Sequence, residues 1–413
     1  MNTSATTALQ SSTTSKPQLN LLERLFVRLI GTIRHGRLNI RFSDGRSALI
    51  GDRAQPVQDL KIEDARFYRC VLSGGSVGFG EAYVSGYWST SDLSGLLLLL
   101  AKNKARSNRL HKGFSLFARF FNRIYHLARS NTLAQSKQNI QAHYDLSNDF
   151  YRQFLDSTMT YSSALFLKKT DSLEQAQINK IDRMLDLAGV KAGDSILEIG
   201  TGWGALALRA AERGCRVKTI TLSGEQYVFA QKQFEGAGVA DQIELCLQDY
   251  RSLEGQFDAV LSCEMIEAVG REYLRDYFRI VKQSLKPGAK AVLQSITISD
   301  DRYETYSRGC DWIQKHIFPG GHLPSVGAIR SHVDAVGSLK ISRVDSFGKD
   351  YAETLRRWAG RFNVNNARVR ELGFDTAFCR KWNYYLSYCE AGFDADLIDV
   401  NHVVLERGVD GEE

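Results

Sequence analysis

The segment Ser195-Ile-Leu-Glu-Ile-Gly-Thr-Gly-Trp-Gly-Ala-Leu-Ala207 constrains the fold of this chain more than any other. Its apolar run, Ile196 to Ile199, predicts a buried strand that breaks at glycines and restarts as a helix near Ala205. Gly200, Gly202 and Gly204 let the backbone turn tightly and let a ligand approach main-chain N–H groups at a helix N-terminus. Glu198 puts a carboxylate at the strand's end, where an amino or hydroxyl group of a cofactor could sit. The loop therefore predicts a nucleotide-like cofactor without saying which one.

From Ser195 onward, strand patterns at 195–199, 216–222, 242–248, 258–263, 289–298, 339–346 and 399–407 alternate with helical ones. That alternation predicts an α/β fold, a mostly parallel sheet covered on both faces. Ligands of such sheets lie beyond the carboxyl ends of the strands, near the switch in strand order. A dinucleotide site would want an acidic residue at the end of the second strand. Here that strand runs into Thr221-Leu-Ser-Gly-Glu-Gln226, with no acid at the ribose position.

A chain of 413 residues is long enough for two domains. Its seven cysteines are scattered and odd in number, without a C-x-x-C pair, so neither structural zinc nor a disulfide framework is expected. No metal site is expected, and a reducing cytosol fits best. Residues 1–18 read as a disordered tail rich in Ser and Thr. No apolar run reaches the ~18 residues of a membrane span; Leu93 to Ala101 reads as the end of a buried helix. Asn20 to Ile33 reads as a helix, Asp44-Gly45 as a hairpin turn, and Gly74 to Tyr83 as a glycine-rich turn beside a helix.

The net charge of +6 is unevenly spread. From Leu93 to Tyr144 there is no Asp or Glu among numerous Lys and Arg. Between Lys112 and Arg129, phenylalanines fall on one side of a helical projection and Lys112, Arg119 and Arg123 on the other. Two readings stand: a helix lying in an anionic membrane interface, or an ordinary surface helix facing its own core. No nucleic-acid motif accompanies the charge.

Several segments together resemble the cyclopropane-fatty-acyl-phospholipid synthase and mycolic acid cyclopropane synthase family. They are His143-Tyr-Asp-Leu-Ser-Asn-Asp-Phe-Tyr151 with Tyr161-Ser-Ser-Ala164, the glycine loop, Glu264-Met-Ile-Glu-Ala-Val-Gly270, and Ile317-Phe-Pro-Gly-Gly-His-Leu-Pro-Ser325. Gly78 to Tyr83 with Trp88, and Tyr384 to Phe393, look like the family's N-terminal and C-terminal signatures. The resemblance runs in order from about Ile62 to about Arg407. It implies a Rossmann-like class I methyltransferase sheet of seven strands (136–413, with a helical insertion at about 300–335) behind a mixed, largely helical lipid-associating domain (19–135).

By that resemblance the cofactor is S-adenosylmethionine, bound by Tyr161, Ser162, Ile196, Glu198, Gly200, Gly202, Trp203, Gly204, Thr221, Leu222, Gln226, Asp249 and Tyr250. The implied reaction puts a methylene unit onto the cis double bond of unsaturated phospholipid acyl chains, through a carbocation facing Tyr161, Tyr351 or Trp312. The implied base is a bound bicarbonate held by Glu267 and Tyr351 with Ser163, Gln294 and Ile296; Cys389 matches a cysteine sometimes assigned as catalytic. Three positions depart from the family's usual residues: Ser163 replaces Cys, Ala268 replaces His, and Gln294 stands for His. They leave open methylation of the same double bond to methyl-branched or methyl-unsaturated chains, and a silent lipid-binding protein. The family also implies a homodimer, cytoplasmic and peripheral on the inner face of an anionic membrane.

Overall fold

A computed structural model of the protein describes residues 19–30, 33–51, 56–104 and 146–409. The basic stretch 112–129 lies outside the described residues, as do the 1–18 segment and His143. The first elements are α1 (Leu21–Ile30), β1 (Arg37–Arg41), β2 (Ser47–Gly51), β3 (Val57–Ile62), α2 (Arg66–Val84), β4 (Trp88–Ser89) and α3 (Leu93–Lys104). Their strands form a small sheet in the order β2-β1-β3-β4. The Asp44-Gly45 turn does join β1 to β2, Gly45 adopting a φ of 86°.

The glycine-rich segment is not a turn. α2 runs through it, kinked at Gly75 (φ 58°), and its later glycines serve close packing. A β-carbon on Gly80 would lie 2.5 Å from the indole nitrogen of Trp312 and 2.7 Å from the ring of Tyr384. Likewise Leu93 opens α3 and does not close a helix.

The larger part contains α4 (Asn148–Tyr151), α5 (Leu173–Ala188), β5 (Ser195–Ile199), α6 (Ala205–Glu212), β6 (Arg216–Thr221), α7 (Gly224–Gly236) and β7 (Ile243–Leu247). It continues with β8 (Phe257–Cys263), α8 (Leu274–Ser284), β9 (Leu285–Ile298), α9 (Asp300–Ser307), α10 (Trp312–His316), α11 (Val326–Asp334) and β10 (Leu339–Ser346). α12 (Gly348–Val364), α13 (Asn366–Glu371), α14 (Thr376–Asp394) and β11 (Ile398–Arg407) complete it.

The seven strands order as β10-β11-β9-β8-β5-β6-β7, and β11 alone runs antiparallel to its neighbours. This is the expected sheet, with every expected strand within a few residues of its place. β5 pairs with β6 on one side and β8 on the other, so the strand order reverses beside it. The glycine loop leaves the sheet at that switch point.

α14 ties the two parts together. Arg380 donates to the carbonyls of Tyr83 and Trp88, and Ser94 donates to Glu390 across 2.6 Å. Lys315 and His316 of α10 both meet Glu81 of α2, and this pairing, His316 first, lowers the Glu81 carboxyl to about 2.

Candidate active site

A cavity of about 160 Å³ opens at the carboxyl ends of β8, β5, β6 and β7. Of the residues the sequence expects at a cofactor, Tyr161, Ser162, Glu198, Gly200, Gly202, Trp203, Thr221, Leu222, Gln226 and Tyr250 line it. Three do not. Ile196 is wholly buried within β5, and Gly204 packs against Phe234, whose ring a β-carbon there would approach to 2.8 Å. Asp249 is taken by Arg251, at 2.7 Å, and caps the short turn that follows β7. Gln248, one residue earlier, lines the cavity in its stead.

The lining fits a nucleoside carrying an amino acid chain. A β-carbon on Gly202 would meet nothing within 4 Å, so the loop backbone is open to a ligand. Thr221 and Gln226 share a 2.9 Å hydrogen bond and leave further donors and acceptors at the end of β6. Glu198 accepts from Thr219 at 2.5 Å, and burial pushes its carboxyl up to about 8.

Beside this cavity the expected anion shell converges on a residue the sequence reading passed over. Glu264 follows the last residue of β8 directly and adopts a φ of 51°, a left-handed conformation costly for a residue with a β-carbon. That turn aims its carboxylate at the cavity. One oxygen accepts from the backbone N–H of Ser163 at 2.9 Å and from the amide of Gln294 at 2.8 Å. The other accepts from the hydroxyl of Tyr351 at 2.7 Å. Three of the donors expected around a bicarbonate thus end on Glu264. Bicarbonate does not fit here, because an ion on those donors would have to displace the Glu264 carboxylate.

Glu267 was expected to share Tyr351 and does not. It accepts from Ile296 N–H at 2.5 Å and from the Ser295 hydroxyl at 3.2 Å, while its second oxygen is buried without a partner among the described residues. Burial, and then the charge of Glu264, push its carboxyl up to about 8. Burial raises Glu264 too, but its three donors and the field of Lys180 oppose that rise. One charge on the pair therefore resides on Glu264, with Glu267 as the neutral partner.

Gln294 is held from behind. Its carbonyl oxygen lies 3.0 Å from Nε2 of His402 on β11. Burial lowers His402 to about 3, so the ring is neutral and donates through Nε2. This fixes the amide with its NH₂ toward Glu264.

Aromatic rings close the far wall. The Trp358 ring lies 5.4 Å from Tyr161 and 6.2 Å from Tyr351, bridging the two. Trp358 stands seven residues after Tyr351 on α12, the same helical face, and that spacing was the available signal. Trp312, expected at this wall, instead packs on Tyr384 and Gly80 at the junction with α2. Burial pushes the Cys389 thiol well up, which removes thiolate chemistry there at neutral pH.

Comparison with known proteins shows the family. A family model described as mycolic acid cyclopropane synthetase matches residues 131–403. A tuberculostearic acid methyltransferase of Mycobacterium tuberculosis is 40% identical over 91% of this chain and 89% of its own length. The cyclopropane-fatty-acyl-phospholipid synthase of Escherichia coli K12 is 34% identical over 85% of this chain and 88% of its own. Among solved structures, a mycolic acid cyclopropane synthase, CmaA1, complexed with SAH and CTAB, superposes with a TM-score of 0.61. It is 30% identical, and the match covers 66% of this chain and 98% of that one. The chain therefore belongs to the cyclopropane synthase family and is an S-adenosylmethionine-dependent methyltransferase of the class I fold.

Proposed function

We propose that this enzyme transfers a one-carbon unit from S-adenosylmethionine to the cis double bond of unsaturated phospholipid acyl chains and closes a cyclopropane ring. The observation that carries this reading is the Glu264 carboxylate, buried between the cofactor cavity and the Tyr161–Trp358–Tyr351 wall. When bound, S-adenosylmethionine supplies an electrophilic methyl group. Tyr161, Ser162, Glu198, Gly202, Thr221 and Gln226 would hold it.

An isolated double bond is a weak nucleophile, so orientation in a dry pocket has to supply most of the acceleration. Its π pair would form the new carbon–carbon bond as the methyl–sulfur bond breaks and S-adenosylhomocysteine leaves, and the other alkene carbon is left as a cation. The aromatic faces of Tyr161, Trp358 and Tyr351 stabilise that charge. Glu264 then removes a proton from the new methyl group, and the released C–H pair closes the ring. No separate anion is required.

A second reading rests on a different observation, the 40% identity to a tuberculostearic acid methyltransferase over most of both chains. There the same cation loses its proton without ring closure and yields a methylated, still unsaturated chain. Under either reading the enzyme works at a bilayer surface, with the basic segment 102–137 attracting anionic headgroups.

The test is incubation with S-adenosylmethionine and liposomes of monounsaturated phospholipid, followed by mass and proton NMR of the released fatty acids. Cyclopropyl protons support ring closure. Olefinic protons on a chain heavier by one CH₂ support the second reading. Absence of transfer contradicts both.

A further inference from the structure

A second cavity, of about 280 Å³, lies outside the cofactor cavity and shares Met159 with it. Leu155, Asp156 and Met159, from the segment before Tyr161, line one side of it, and Phe229 and Gln233 of α7 line the other. Arg152 is a half-exposed lining residue whose guanidinium lies 5.5 Å from the centre of the Phe229 ring. Met159, buried between the two cavities, adopts a φ of 55°, a left-handed conformation that the surrounding packing has to hold.

Asp156 carries the chemistry of this cavity. It is 4% exposed. One of its oxygens accepts from the N–H of Thr158 at 3.0 Å and from the Thr158 hydroxyl at 2.6 Å. That hydroxyl lies 2.8 Å from the hydroxyl of Thr160, so the carboxylate is fixed in place. Its other oxygen is buried without a partner among the described residues. A buried carboxylate oxygen without a donor costs stability, and a ligand bearing N–H or O–H groups in this cavity would remove that cost.

The walls narrow the class of donor. Leu155, Met159 and Phe229 are apolar and suit a short aliphatic stem. Arg152 donates to Asp149 at 2.7 Å through one nitrogen and keeps further N–H groups for an oxyanion. A buried carboxylate and a half-exposed guanidinium together match an ammonium joined by a short chain to a phosphate. The position also suits a lipid headgroup. The carbonyl of Leu155 accepts from Arg361 at 2.9 Å, three residues after Trp358 on α12. The ring of Phe154 lies 6.0 Å from Trp358 and 6.1 Å from Tyr161, so the cavity adjoins the aromatic wall through Phe154.

We propose that this cavity binds a phosphorylated primary amine, with the ammonium on Asp156 and the phosphate on Arg152. Its source, a point that rests on the function proposed above, is the headgroup of an aminophospholipid substrate.

Two measurements on the full chain test it. The first is calorimetric titration with O-phosphoethanolamine and with phosphocholine, which keeps the phosphate but has no N–H on its nitrogen. The wild type should bind the first roughly 10- to 100-fold more tightly, the usual worth of a hydrogen bond to a charged group. Asp156→Asn should remove most of that preference. The second is the rate of methyl transfer to dioleoyl phosphatidylethanolamine or dioleoyl phosphatidylcholine, each carried in vesicles of saturated phosphatidylglycerol. The ethanolamine lipid should show the lower KM with a similar kcat, and Asp156→Asn should bring the two KM values together. A preference in binding without one in KM supports the site with the free amine as its source. Equal binding of the two amines by the wild type, or binding of neither, overturns the proposal whether or not Asp156→Asn folds. Transfer to both lipids would then leave the proposed function standing. Binding of phosphoethanolamine with no transfer to either lipid would instead remove that function and keep the site.

Discussion

Tyr351 donates its hydroxyl to Glu264 across 2.7 Å, and this bond joins α12 to the end of β8 directly over the cofactor cavity. On the function proposed above, it makes Glu264, rather than Glu267 three residues later, the centre of the reacting site. Glu264→Gln keeps the size of the side chain and removes the base. Turnover should fall roughly 10²- to 10⁴-fold, the range for a general base. Binding of S-adenosylhomocysteine should stay within about twofold of wild type. Tyr351→Phe should cost less, about 10- to 100-fold, because the carboxylate keeps its other donors. Initial rates with labelled methyl donor, beside calorimetry, check both.

His402 acts on this centre through Gln294. His402→Phe removes the donor that orients the amide, leaving Gln294 free to present its carbonyl oxygen to Glu264. Two acceptors facing each other would raise the proton affinity of Glu264, so the low-pH limb of the rate profile should move to higher pH. A rate profile unchanged in shape would count against this positioning role.

Glu267 predicts a pH dependence of stability. Its folded carboxyl is raised to about 8, so between its ordinary value near 4.5 and about 8 the folded state binds more protons than the unfolded. Stability contributed by this group is present at low pH and is lost as pH rises through that window. Glu267→Gln should match wild type near pH 5 and melt higher near pH 8, by roughly 1 °C for each kcal/mol recovered in a chain of this length. Thermal melts across that range decide it; a variant that melts lower at pH 8 would contradict the buried, neutral assignment.

Burial sets the Cys389 thiol well above thiolate range. Cys389→Ala should therefore retain activity within about threefold, with any loss following stability by the ordinary cost of a small core deletion. Loss of turnover in a variant that folds and binds cofactor normally would restore a chemical role.

The seven-strand sheet was legible because its evidence is local and periodic: buried strands, a glycine loop, helical spacing between them. The glycine loop and Thr221 followed from the same rule, at the carboxyl ends of those strands, whereas Tyr161, Ser162, Gln226 and Tyr250 followed only from the family resemblance. The reacting centre was harder. Glu264 and Glu267 lie three residues apart in one motif, and only the left-handed turn at Glu264 decides which carboxylate reaches Tyr351. Nor does the spacing of Gly78 and Gly80 separate a turn from a helix packed tightly on Trp312.

Transfer from S-adenosylmethionine carrying a fully deuterated methyl group, with monounsaturated liposomes as acceptor, tests most directly whether Glu264 takes the proton of the new methyl group. Mass analysis of the released fatty acid should find two deuterons retained and one lost, in buffer depleted of bicarbonate as well as in its presence. Retention of all three deuterons, or turnover that appears only when bicarbonate is restored, would contradict Glu264 as the base.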